Sequence, residues 1–235
     1  MLKRFLLLFF TAGFCGAAFA QVQFGVRAGA NLSNVVEKDE DGNKLSTSLL
    51  PGFHVGVTAD VAIADEFYLQ PALLFNTKGY QYKQSESSVT VSLNQHPYYL
   101  ELPVNFIYKP ALGNGHLLLG AGPYIAYGVG GRWKLKAESG SNTLSRTGSL
   151  EFKNDYSLDS ALFGGNIDDL PEKLPYGKPF DLGVNLLAGF EFSRKFSVQL
   201  NGQLGLLNIA PTLDGQKTGA VAKNMQFGLS VGYKF

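Results

Sequence analysis

Six ionisable residues occupy positions where they could act together: Arg27, Asp60, Glu101, Asp181, Glu191 and Lys234. A carboxylate held beside a lysine or arginine can work as a general acid–base pair. The same pair buried without a substrate is an internal salt bridge. Their signs are mixed, they stand apart in sequence, and no Ser-His-Asp set accompanies them. The salt-bridge reading is therefore preferred, as a charged plug inside the fold. His54, His96 and His116 fall on separate segments, so no metal site is expected, and His54 is read as a satisfied interior residue. Asn166-Ile167-Asp168-Asp169 offers too few oxygens at the spacing a calcium loop needs.

The first residues limit the remaining chemistry. Lys3 and Arg4 precede an apolar run from Phe5 to Phe10, and Ala18-Phe19-Ala20 supplies a small-x-small cleavage site. This pattern predicts a secretory signal peptide over residues 1–20 and a single mature domain over 21–235. Cys15 follows Phe14 rather than the small residue that lipid attachment requires, so it is expected to leave with the peptide. The mature chain then has no disulfide, thiolate metal site or cysteine nucleophile. Removing Lys3 and Arg4 from 20 basic residues, against 19 acidic ones, leaves a net charge near −1. There is no basic stripe for nucleic acid.

The elements that must position the six charges have period two. From Val22, every second residue is apolar: Val22, Phe24, Val26, Ala28, Ala30 and Leu32. Strict alternation of this kind is a strand with two different faces. It returns around Phe53–Val61, Phe67–Phe75, Tyr98–Tyr108, Leu117–Tyr127, Phe180–Phe190, Phe196–Leu206 and Met225–Phe235. No apolar face carries a charge, and all six candidate residues fall on the opposite faces.

A soluble barrel and a membrane barrel share this alternation, and four features favour the membrane. The polar faces are rich in Gly, Asn, Gln and Ser rather than in the long charged side chains a wet surface displays. The strands have the length of about 9 to 11 residues that a tilted crossing requires. Aromatic residues gather at two levels: Phe24, Phe67, Phe106, Tyr108, Phe190, Phe196, Tyr233 and Phe235 at one, Phe53, Phe75, Tyr98, Tyr127, Phe180 and Phe227 at the other. Finally, short turns at 62–66, 109–116 and 192–195 alternate with longer connections at 34–50, 80–96, 129–179 and 209–223. The expected fold is an all-β, eight-stranded, antiparallel up-and-down transmembrane barrel of the outer-membrane type. Eight strands leave an interior that side chains can fill. By depth, Asp60, Glu191 and Lys234 should meet near the periplasmic end, and Glu101 should lie mid-barrel with Arg27 as partner. Pro71, Pro103 and Pro123 sit mid-strand, where bulges or a widened ladder are expected.

Several motifs resemble the PorT-like outer-membrane β-barrel family. They include Gly25–Ser33, Gln70–Gly79, Tyr99–Pro103, Gly122-Pro123-Tyr124, Phe180–Gly183 with Ala188–Glu191, and the closing Gly228–Phe235. The resemblance covers essentially the whole mature chain. It implies an eight-stranded outer-membrane barrel of a Gram-negative cell, mostly without an assigned activity. Ala72 stands where many relatives carry a glutamate, and Phe235 resembles the terminal aromatic read by the barrel-assembly machinery.

The functional expectation is a structural or surface-interaction role in the outer membrane, with no catalysis, no cofactor and lipid as surroundings. Residues 129–179 are expected first to be a mobile shield with part of it folded over the barrel mouth; the other reading makes them the place for an unidentified surface partner, with Arg132, Trp133, Tyr156 and Phe163 as candidate contacts. The alternatives are a narrow porin-like channel or carrier for small or apolar ligands, a membrane-embedded enzyme needing a close acid–base set, and a soluble lipocalin-like barrel.

Overall fold

The structure is a computed structural model and describes residues 22–39, 42–44, 46–86, 89–157 and 171–235. The expected signal peptide and Phe163 lie outside the described residues. Eight of the strands among them make up the barrel: β1 (Val22–Lys38), β2 (Leu50–Ala64), β3 (Phe67–Thr77), β4 (Val89–Tyr108), β5 (Gly115–Ser139), β6 (Phe180–Phe192), β7 (Phe196–Gly205) and β8 (Val221–Lys234).

Each strand pairs antiparallel with the next, and β8 returns to pair with β1 from Gly25↔Lys234 to Lys38↔Val221. The ring of hydrogen bonds is closed. Tight turns at Asp65-Glu66, Gly113-Asn114 and Ser193–Lys195 lie at the same end as both chain termini, where the Phe235 amide donates to the Phe24 carbonyl at 3.0 Å.

Burial follows the alternation. On β7, Val198 and Leu200 are 41% and 64% exposed, while Gln199 between them is 4% exposed. The outward surface carries Val26, Val55, Leu73, Leu102, Ile125, Leu186, Leu229 and Val231. Rings meet within both aromatic levels: Phe67 lies 5.1 Å from Tyr108, Phe196 4.9 Å from Tyr233, and Phe75 5.6 Å from Tyr98, centroid to centroid.

One expectation is resolved between its two alternatives, and another needs correction. Register is unchanged across Pro71, Pro103 and Pro123: Pro71↔Val104 and Leu74↔Glu101 share one register, as do Pro103↔Tyr124 and Phe106↔Ala121. No bulge forms at the prolines. The ladder lapses instead, and by register Val104 lies between Pro71 on β3 and Pro123 on β5, so the missing N–H groups are gathered in one patch. The bulges fall elsewhere, at Ala62/Ala64 and at Tyr98/Tyr99 opposite Gly128–Gly130.

The connections 80–96 and 129–179 are also not simply loops. β4 and β5 run 20 and 25 residues, well beyond a crossing, and strands Tyr80–Glu86, Asn142–Phe152 and Lys173–Gly177 join them in one sheet at the end away from the tight turns. Alternation persists there with its polarity inverted, which is why it was not read as barrel strand.

Close strand approach in the proline patch depends on Gly122. A Cβ there would lie 2.0 Å from the Val104 carbonyl oxygen and 2.8 Å from the Asn105 Cα. Gly122→Ala is expected to destabilise the barrel by about 1–3 kcal/mol. The measurement is the urea midpoint in lipid vesicles, and an unchanged midpoint would contradict the close approach.

Candidate functional site: a charged lumen beneath an apolar roof

The interior is built in three layers. At the turn end, Asp60 of β2, Glu191 of β6 and Lys234 of β8 converge, joined by Lys109 from the β4–β5 turn. Lys109 Nζ lies 2.8 Å from Glu191 and 3.3 Å from Asp60, and Lys234 contacts both carboxylates. Gln70 donates to Asp60 at 2.6 Å, and the Tyr68 ring lies 4.7 Å from Lys109 Nζ. The depth of these strand positions brings the acids together, and the turn supplies the second cation.

The middle layer is mostly amide. Asn31 donates to Asn76 at 2.8 Å, Asn76 to Glu101 at 3.0 Å, and Asn185 to Asn105 at 3.3 Å. Arg27 reaches the Gln199 side-chain oxygen at 3.3 Å. It makes no ion pair with Glu101, contrary to the expected partnership, because a nearer cation occupies that carboxylate.

That cation is Lys78, which follows β3 and turns inward above the middle layer. Its Nζ lies 3.0 Å from Glu101 and 3.6 Å from Asp181, with the ring centroids of Tyr124 and Tyr99 at 4.3 and 5.4 Å. Tyr124 and Asn224 donate to Asp181 at 3.1 and 2.8 Å. Among the described residues the buried lumenal charges are thus the cations Arg27, Lys78, Lys109 and Lys234 and the anions Asp60, Glu101, Asp181 and Glu191. They balance. The central cavity between Arg27, His54, Glu101, Asn185, Gln203 and Gln226 has about 20 Å³ of free volume, the room of a single water.

Sequence reasoning missed Lys78 and Lys109 because both lie just past strands, outside the alternating positions. For Lys78 the available signal was its place directly after the buried polar pair Asn76-Thr77; Lys109 follows Ile107-Tyr108, which carries no such signal. Among the described residues, the one arrangement resembling nucleophile and base is His54 Nε2 against Ser230 Oγ at 2.8 Å. No group orients the other side of that imidazole, since His54 Nδ1 has no hydrogen-bond partner among the described residues. His96 faces outward on the extracellular part of β4 and His116 lies opposite Glu191, so the three histidines stay apart. Among the described residues, no three His, Cys, Asp or Glu side chains gather as a metal would require.

Above the lumen, Trp133, Leu150 and Leu174 form an apolar roof with Leu93, Leu135 and Tyr176 against it. This corrects the expectation for two surface contacts. Trp133 is 1% exposed, and Tyr156 is buried with its hydroxyl donating to the Glu151 carbonyl at 2.5 Å. Arg132 is exposed.

A family model described as outer membrane protein beta-barrel domain matches residues 19–210. The chain belongs to that family. No curated protein matches it. Among solved structures it is similar to Ail, the attachment invasion locus protein of Yersinia pestis, in complex with the heparin analogue sucrose octasulfate. Identity there is 14% over 92% of this chain and 99% of that one, with a TM-score of 0.40. Neisserial surface protein A matches at 14% identity over 90% of this chain and 97% of that one, TM-score 0.34. The outer membrane protease OmpT of Escherichia coli matches at 11% identity over 91% and 96%, TM-score 0.41. At these levels nothing about activity follows. Membership of the family places this β-barrel domain in the outer membrane.

For an outer-membrane barrel, the lumenal ion pairs dictate a stability pattern. Lys78→Met leaves Glu101 and Asp181 buried without their cation, a cost of about 3–5 kcal/mol. Adding Glu101→Gln should return part of that loss. Both are read as urea midpoints in vesicles, and a neutral Lys78→Met would show that the cluster carries no stability.

Proposed function

We propose that this protein is a closed outer-membrane barrel that works at its extracellular end, without catalysis and without passing solute. The observation that carries this reading is the filled lumen: three layers of paired charge and amide with about 20 Å³ free at the centre. A conducting pore needs a continuous polar path, and opening one here would strand buried charges. Activity is then left to the extracellular sheet of Tyr80–Glu86, β4, β5 and Asn142–Phe152, whose outward side carries Lys83, Arg132, Lys134 and Lys136. An unidentified surface partner belongs on that sheet. In the same reading, residues 1–20 direct export through the periplasm and are removed. Phe235, 75% exposed at the rim, serves the barrel-assembly machinery. The motifs from Gly25 to Phe235 support a PorT-like member of the family.

Planar-bilayer recordings of the refolded protein test this directly. Current at the bilayer background is expected across the physiological voltage range. A steady, reproducible unit conductance would replace the closed-barrel reading with the narrow-channel one.

A further inference from the structure

A second cavity, of about 160 Å³, lies beside the roof and shares no lining residue with the central one. Its walls include Val35 and Glu37 of β1, Tyr80, Tyr176, Ile209 and Leu213. Most of that lining is aliphatic or aromatic, yet it holds four oxygen-bearing side chains, Glu37, Tyr80, Tyr176 and Thr218. Val35 is buried on the inner side of β1, so Glu37, two residues on, also projects inward. Its chain neighbours Val36 and Lys38 point the other way, and Lys223 sits opposite Val36, also outward. Among the described residues no lysine, arginine or histidine forms an ion pair with Glu37, and burial raises its pKa. The Tyr176 hydroxyl is buried and has no hydrogen-bond partner among the described residues. Its ring lies 6.5 Å from that of Tyr80, centroid to centroid.

A half-buried carboxylate without a cation and a buried hydroxyl without a partner both carry a cost, and native proteins leave few such groups unexplained. We propose that this cavity binds a small organic cation, a primary ammonium bearing a short apolar substituent. The ammonium pairs with Glu37 and meets the tyrosine hydroxyl and ring faces. The substituent lies against Val35, Ile209 and Leu213. A neutral apolar guest leaves the carboxylate unpaired, and an anion is repelled by it. A bare divalent metal would find one carboxylate where it needs six or more oxygens. The inference goes beyond the closed-barrel reading and stands or falls separately from it, because the two cavities have no lining residue in common.

The test uses the refolded full-length barrel in detergent with n-pentylamine and its neutral isostere 1-pentanol as probes. Saturation-transfer NMR reads binding at the ligand. Fluorescence of Trp133, the only tryptophan and part of the cluster that Tyr176 packs against, reads it at the protein. Pentylamine is expected to bind at least about tenfold more tightly than pentanol, the worth of one charge-assisted contact. Glu37→Gln should reduce the amine to the affinity of the alcohol, and Tyr176→Phe should weaken it in the same direction. Equal binding of the two probes, binding of neither, or full amine affinity in Glu37→Gln would overturn the proposal. A conductance result of either kind would leave this comparison unaffected.

Discussion

The fold depends on one constraint: within hydrocarbon, no water is available for an unpaired backbone N–H or C=O, and each such group costs several kcal/mol. Strands satisfy it only by closing on themselves. The β1–β8 ladder supplies that closure, and the remaining features follow from it. A closed ring of eight strands has one inside and one outside, so period two becomes a division between lipid and lumen. The inside is too narrow for bulk water, so what enters must be neutralised by its neighbours. Even the prolines obey the constraint. By gathering Pro71, Pro103 and Pro123 around Val104, the chain confines their missing donors to one patch and keeps register on both sides.

Above the membrane the same strands reverse their chemistry. In β4, Tyr98, Leu100 and Leu102 face outward, and further along the same face come His96, Asn94 and Ser92. Inward, Glu101 and Asn105 give way to Leu93, which pairs with Leu135 in the roof. In β5 the reversal is helped by the bulge at Gly130. One extra residue moves the inward positions from Tyr124 and Ala126 to Trp133 and Leu135, and turns Arg132, Lys134 and Lys136 outward. Solvent polarity changes at the membrane boundary, and side-chain polarity changes with it. The roof is thus an ordinary water-soluble sheet continuous with a membrane barrel.

This reversal marks the limit of what could be read from residues alone. Eight crossings were legible because a single environment imposes one phase on each, from Val22 to Phe235. Asp60, Glu191 and Lys234 could be placed at a common depth for the same reason. Where the environment changes, the phase no longer identifies the strand, so the continuation through residues 129–152 read as loop and buried Trp133 read as a surface contact. Lys78 and Lys109 were illegible for a related reason. They enter the lumen from its two ends, where backbone leaves the ladder and alternation has nothing to say. Arg27 was assigned to Glu101 because Lys78, the nearer cation, was missing from the set.

The outward orientation of the apolar faces underlies every other assignment, and site-directed spin labelling tests it most directly. Single nitroxides would be placed at Val198, Leu200, Leu229 and Val231, with Ser197 and Ser230 as interior references, in protein reconstituted into lipid vesicles. The account predicts strong collision with oxygen and weak collision with a water-soluble nickel complex at the first four sites, and weak collision with both reagents at the two serines. Greater access of the nickel complex at Val198 and Leu200 than at Ser197 would place those side chains in water and contradict the membrane barrel itself.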